Sequence, residues 1–187
     1  MEQSAAAQVS CGALPSFRTP RLRLRPRRPE DLDACLALDR EPGTTAFIDG
    51  PWAGPAAHRA FIASRIAGPY PPGLGYWVVS PARAPALFLG WVLLIPVDAI
   101  GPEIEIGWRL IRAIRGQGLA VEAAAPLLAH AARLGIGQVE AEIHAPNLPS
   151  RRTAERLGMR AAEPASTAQP QKGRLTYRIA LTRQAAS

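Results

Sequence analysis

Lysine is almost missing from this chain: Lys172 is the only one among 187 residues, although lysine and arginine together number 22. A Walker phosphate loop needs Gly-Lys followed by Ser or Thr, so that class of nucleotide site is excluded. Cysteine is as scarce, and Cys11 and Cys35 offer neither a disulfide framework nor metal-ligand spacing. No metal is expected. No apolar run approaches the ~20 residues of a membrane span, and Met1-Glu2-Gln3-Ser4 lacks the basic start of a secretory signal. The expected location is cytoplasmic, without membrane contact. Aromatic residues make up only 6%. An RNA-recognition sheet interleaves basic and aromatic residues on one strand face, a pattern that Tyr76, Trp77, Phe88, Trp91 and Trp108 do not display.

Arginine is what the chain has instead. The formal net charge is +7, and Arg18, Arg21, Arg23, Arg25, Arg27 and Arg28 fall within one short segment. A basic surface there would attract phosphates, RNA or an acidic substrate, and by itself decides among none of them. Hydrophobic content of 48% and charged content of 20% fit one globular domain. Its expected span is 15–182, after an N-terminal extension over 1–14 and before a short tail over 183–187.

The most informative stretch runs from Glu103 to Leu134. Glu103 to Leu110 alternates acidic or small residues with large apolar ones, the period of a strand with one buried face. Ala120, Ala124, Leu127, Leu128, Ala131 and Leu134 form a helical apolar stripe that Gly135 ends. Pro126 breaks the pattern, at a cost of ~3 kcal/mol where uncompensated. Between strand and helix lies Arg115-Gly116-Gln117-Gly118-Leu119-Ala120. Such a loop presents unpaired N–H groups and the positive end of a helix dipole, which suits a phosphate or pyrophosphate. A dinucleotide fingerprint is ruled out because Val121 replaces its third glycine and Gln138 stands about twenty residues on, where its acid belongs.

Elsewhere, 21–25 reads as a first strand, Pro29-Glu30-Asp31 opens a helix, and 41–55 is an ordered connection with Phe47, Ile48 and Trp52 placed to line a site. A second helix is expected over 56–67, strands over 76–80 and 87–95, a strand over 138–144, a helix over 150–157 and strands over 160–163 and 174–182. The polar segment 164–173 reads as a hairpin loop. The order describes an α/β fold: a mixed, mainly antiparallel sheet between helices, in three layers.

The R-x-x-G-x-A loop resembles the acetyl-CoA loop of the GNAT superfamily of N-acetyltransferases. Its E-I-G-W strand, the segment Asn147-Leu148-Pro149-Ser150 to Glu155-Arg156-Leu157-Gly158-Met159, and the opening Thr19-Pro20-Arg21-Leu22-Arg23-Leu24-Arg25-Pro26 resemble, in order, the branch that acetylates ribosomal-protein N-termini. The resemblance implies acetyl transfer from acetyl-CoA to a primary amine, on a protein N-terminus or a small molecule, by a monomer or homodimer. It implies that Arg115, Gly116, Gln117, Gly118, Leu119 and Ala120 cradle the pyrophosphate, mainly through backbone N–H groups. It further implies that Asn147 holds the pantetheine arm, that Glu105 is the base or amine-orienting residue, and that Ser150 supplies a proton to the departing thiolate.

Each role has a plainer counterpart. Glu105 also reads as a half-solvated strand carboxylate, Ser150 as the N-cap of the helix at 151–157, and Asn147 as a turn former before Leu148-Pro149. His144 ends a strand near the expected cleft, whereas His58 and His130 read as helix residues without partners. The tyrosine that the family often places after its L-G-F segment is replaced by Met159-Arg160-Ala161-Ala162, and Tyr177 reads as packing. The competing function is a binding module, either a silent CoA sensor or a basic RNA- or ribosome-associating domain on the same fold.

Overall fold

The structure is a computed structural model, and it describes residues 14–97, 101–162 and 173–182. The expected extension over 1–13, the tail over 183–187 and nearly all of the segment 164–173 lie outside these residues. Leu14 is described, and it packs partly buried against the core.

Among the described residues the elements are β1 (Phe17–Arg18), β2 (Leu22–Pro26), α1 (Leu32–Arg40), α2 (Pro55–Ala67), β3 (Gly75–Pro81), β4 (Gly90–Pro96) and β5 (Ile104–Leu110). They continue with α3 (Leu119–Arg133), β6 (Gln138–His144), α4 (Leu148–Arg156), β7 (Arg160–Ala162) and β8 (Arg174–Ala180). The strands form one sheet in the order β1-β2-β3-β4-β5-β6-β8-β7. Every junction is antiparallel except that of β5 with β6, which α3 connects as a crossover.

Both faces of the sheet are covered, which explains why β3 and β4 are buried almost continuously rather than at alternate positions. Trp77, Val79, Val92, Leu94, Ile106 and Leu110 face one core with Ala123, Ala124, Leu127 and Ala131 of α3. Tyr76, Trp91, Leu93 and Ile95 face a second core with Cys35, Leu36 and Leu38 of α1 and Ile62 of α2. Small alanines on α3 let the helix lie close to the sheet. Burial pushes the Cys35 thiol up to about 11, which leaves it an inert core group.

Several boundaries differ from the sequence expectation for identifiable reasons. β4 begins at Gly90, and Leu87 remains 59% exposed. A side chain at Gly90, where φ is +134°, would run into the backbone of Arg109 and Leu110. α4 begins two residues before Ser150 because Pro149 fits the first helical turn, where its missing N–H costs nothing. Asn147, not Ser150, is therefore the N-cap: the Ser150 N–H donates to Asn147 Oδ1 at 3.3 Å. α3 runs through Pro126 without a break in its helical assignment.

Histidines expected to lack partners have them. His58 Nε2 lies 3.0 Å from Asp39 Oδ2, and Arg109 Nη1 donates to the other oxygen of the same carboxylate. Asp39 is fully buried, so this network ties α1, α2 and β5 together in a medium where an unpaired charge would be severely destabilising. His130 Nε2 meets the Gly73 carbonyl at 2.9 Å, and its ring stands edge-on to Phe17 and Trp77.

Candidate active site

The site begins where the sheet comes apart. Seven register pairs join β4 to β5 and seven join β6 to β8, but β5 meets β6 in register only at Glu105 and Glu140. Beyond that pair the two parallel strands diverge toward their carboxyl ends, the place where α/β sheets open a ligand crevice. Two neighbouring carboxylates would repel each other, and Arg178 Nε offsets this by donating to Glu140 Oε2 at 3.0 Å.

The resulting cleft has a volume of about 330 Å3. Its walls carry Glu105, Gly107, Trp108 and Arg109 from β5, Glu142 to His144 from the end of β6, and Asn147 and Ser150 from the start of α4. The connection between α1 and α2 covers it with Phe47, Ile48, Asp49 and Trp52, the aromatic loop singled out from the sequence. Trp52 is fixed by its own N–H to the Ile48 carbonyl at 2.7 Å and by edge contacts with His58 and Phe61. At Gly107 a Cβ would crowd Leu93 at 3.1 Å, so glycine keeps the floor of the cleft clear.

Glu105, Asn147 and Ser150, each half-buried, thus line one cleft together with His144. The amide oxygen of Asn147 is committed to the cap of α4. The His144 ring faces Phe47 at 6.2 Å, and its buried Nε2 finds no hydrogen-bond partner among the described residues. Tyr177 packs against α4, with its hydroxyl donating to Glu155 at 3.2 Å and accepting from Arg151 at 3.1 Å.

The glycine loop stands at the N-terminus of α3. Gly116 and Gly118 have φ of +79° and +76°, a left-handed backbone open to glycine at little cost. No backbone carbonyl among the described residues accepts from the N–H of Gly116, Gln117 or Gly118, and the first N–H groups of α3, from Leu119 and Ala120, have no partner inside their helix. Arg115, by contrast, spends its guanidinium on the Leu110 carbonyl at 2.9 Å and the Thr44 hydroxyl at 2.7 Å. The cations beside the loop come from elsewhere. A Cβ placed on Gly118 would lie 3.6 Å from Arg156 Nη2 and 3.9 Å from Arg21 Nη2.

Arg21 is held there by Glu122, whose carboxylate accepts from Arg21 Nε at 2.6 Å, from the Arg21 N–H at 2.8 Å and from the Thr19 hydroxyl at 2.6 Å. Burial pushes the Glu122 carboxyl up, but these hydrogen bonds outweigh it and hold the group below the usual carboxylate range. Sequence reading missed Arg21, Arg156 and Glu122 as neighbours of the loop, because they meet it from the bend before β2, from α4 and from α3 itself.

Comparison with known proteins bears on the fold and the family. The family model for the acetyltransferase (GNAT) domain matches residues 21–160. The crystal structure of an acetyltransferase from Agrobacterium tumefaciens is 26% identical, with a TM-score of 0.71 over 89% of this chain and 95% of its own. A ribosomal-protein α-N-acetyltransferase in complex with coenzyme A is 17% identical, with a TM-score of 0.68 over 89% of this chain and 97% of its own. The spermidine N-acetyltransferase of Vibrio cholerae, in complex with coenzyme A and spermine, is 16% identical, with a TM-score of 0.68 over 88% and 98%. The last two likenesses concern the fold, and they do not single out the ribosomal-protein branch. With the splayed β5 and β6, the glycine loop opening α3 and this family match in place, the chain belongs to the GNAT acetyltransferase family.

Proposed function

We propose that this protein transfers an acetyl group from acetyl-CoA to a primary amine by direct attack within the cleft between β5 and β6. The observation that carries the proposal is the loop 115–120: two left-handed glycines and a row of backbone donors at a helix start, flanked by Arg21 and Arg156, beside a cleft that contains Glu105. This cradle fits a pyrophosphate. Gly116 has nothing within 4 Å of where a side chain would stand, so the backbone is open to close approach.

Acetyl-CoA supplies the activated acyl group, and the chain's own residues supply position and proton handling. The N–H groups of Gly116, Gln117, Gly118, Leu119 and Ala120 hold the pyrophosphate, Arg156 adds charge, and Arg21, its own charge paired with Glu122, adds an Nη2 donor. A backbone N–H of β5, where the sheet splays, polarises the thioester carbonyl. Glu105 orients the amine and accepts its proton. An α-amine with a pKa near 8 is partly neutral at pH 7 and needs little help, unlike a lysine amine near 10.4. Asn147 fixes the start of α4 so that the Ser150 hydroxyl stands in the cleft, where it donates to the leaving thiolate.

Glu105→Gln tests the assignment with acetyl-CoA, a panel of amines and detection of released thiol. The expected result is a fall in kcat of about 100-fold or more, with acetyl-CoA affinity within twofold of the parent. Unchanged kcat in a folded variant would remove Glu105 from the mechanism.

A further inference from the structure

The acceptor side of the cleft is lined by cations in an arrangement that no local motif announced. Register places Tyr76, Leu93 and Gly107 in one cross-strand row and Val78, Trp91 and Arg109 in the next. Onto these rows the guanidinium of Arg27 stacks 3.6 Å from the Tyr76 ring centre and 5.9 Å from that of Trp91. Arg109 lies 4.8 Å from Trp91 on one side and 5.5 Å from Trp52 on the other. Arg65 completes the set, 5.4 Å from Phe61.

The charges are unequally matched. Arg174 pairs with Asp49 and Glu142, and Arg109 pairs with Asp39 behind the cleft wall. Arg27 and Arg65 make no ion pair within 4.0 Å among the described residues; Arg27 Nη2 instead donates to the Arg65 carbonyl at 2.6 Å. At the end of the cleft beneath α2 these two cations thus have no carboxylate in direct contact, and Asp31 acts on Arg27 only from farther away. The same end also carries unused donors. Arg27 Nε, Trp91 Nε1 and Arg109 Nε are buried without a hydrogen-bond partner among the described residues, and Trp91 and Arg109 are only 7% and 8% exposed. A buried donor left unmade is destabilising, and these three belong to residues lining one cleft.

Such a wall repels a polycation and accepts an anion. We infer that the acceptor amine belongs to a molecule that also bears a carboxylate, which Arg27 and Arg65 hold against the α2 end of the cleft while the amine faces Glu105. This inference rests on the acetyl-transfer reading above. A planar carboxylate matches the paired donors of a guanidinium. The strand of Tyr76 is two strand spacings from that of Glu105, roughly 10 Å. Amine and carboxylate are then separated by several bonds, as in an ω-amino acid or in a peptide N-terminus followed closely by an acidic residue.

The test compares matched acid and amide acceptors with acetyl-CoA: 6-aminohexanoate against 6-aminohexanamide, and the tripeptide amides Ala-Asp-Ala against Ala-Asn-Ala, with spermidine as the polycation. Coenzyme A binding is measured on the same samples by calorimetry. The expected result is at least a tenfold preference in kcat/KM for the acid in one pair, and that pair identifies the small-molecule or the peptide source. In Arg27→Met and Arg65→Met the preference should shrink severalfold through KM, with coenzyme A affinity unchanged; a purely structural arginine would lower stability and leave the ratio intact. Equal rates for acid and amide in both pairs, or spermidine as the best acceptor, would overturn the carboxylate while leaving acetyl transfer standing. Absence of coenzyme A binding would instead remove the acetyl-transfer reading, and this inference with it.

Discussion

The two sides of the cleft are built on different principles. The side at α3 uses main chain: its donors are N–H groups of a contiguous loop, and its shape comes from two glycines with positive φ. The side beneath α2 uses side chains: Arg27, Tyr76, Trp91, Arg109 and Trp52 come from separate places along the chain and interleave cation with ring. A backbone site tolerates changes of side chain and fails when the backbone path is altered. A side-chain site fails residue by residue, and it can be altered without disturbing the glycine loop.

The sharpest way to break the side-chain half is Asp39→Ala. It leaves Arg109 buried without its carboxylate and His58 without its partner. We expect a loss of roughly 3–5 kcal/mol in denaturant unfolding, far more than any substitution at Arg115, whose partners are a carbonyl, a hydroxyl and, at 4.0 Å, the part-exposed Glu41 carboxylate. A loss below about 1 kcal/mol would mean that the network does not hold α1, α2 and β5 together.

Glu122→Gln probes the support of the backbone half. Losing charge-assisted bonds to Arg21 and Thr19 should cost about 1–3 kcal/mol at pH 7. The pH dependence follows from the depressed carboxyl. Its contribution is complete above the unfolded glutamate value near 4.3 and is lost as pH falls through the lower folded value. The gap between parent and variant in thermal melts should therefore narrow below about pH 4.3. A constant gap from pH 7 to pH 3 would contradict the ion-pair account.

The smallest effect is expected at Asp49→Ala. The Asp49 side chain is 84% exposed, so its 2.7 Å contact with Arg174 should contribute at most about 1 kcal/mol. A larger loss would show that this contact anchors the loop over the cleft.

What could be read from the sequence divides along the same line. The strand at 104–110, the glycine loop, α3 and β6 are consecutive, and each announces itself by period or glycine spacing. Their order exposed the layered α/β architecture and the glycine-loop side of the cleft. The side beneath α2 had no such signal, because Arg27 meets Tyr76, and Arg109 meets Trp91, Trp52 and Asp39, across long sequence separations. The interleaving of basic and aromatic residues exists across strands, under α1 and α2, and the order of residues along the chain does not display it. The partners of His58 and His130 were hidden for the same reason. Ser150 was a different case: Pro149 read as a turn, whereas the first turn of a helix accepts it, and this shifted the cap to Asn147.

The central claim is that the loop 115–120 holds acetyl-CoA through its backbone. Calorimetric titration of the protein and of Gly118→Val with acetyl-CoA and coenzyme A tests it most directly, with a thermal melt to verify that the variant is folded. A left-handed residue with φ of +76° does not suit valine, so we expect micromolar binding by the parent and a loss of at least tenfold in the variant. A folded parent that binds neither ligand, or a variant that binds as tightly as the parent, would contradict the account.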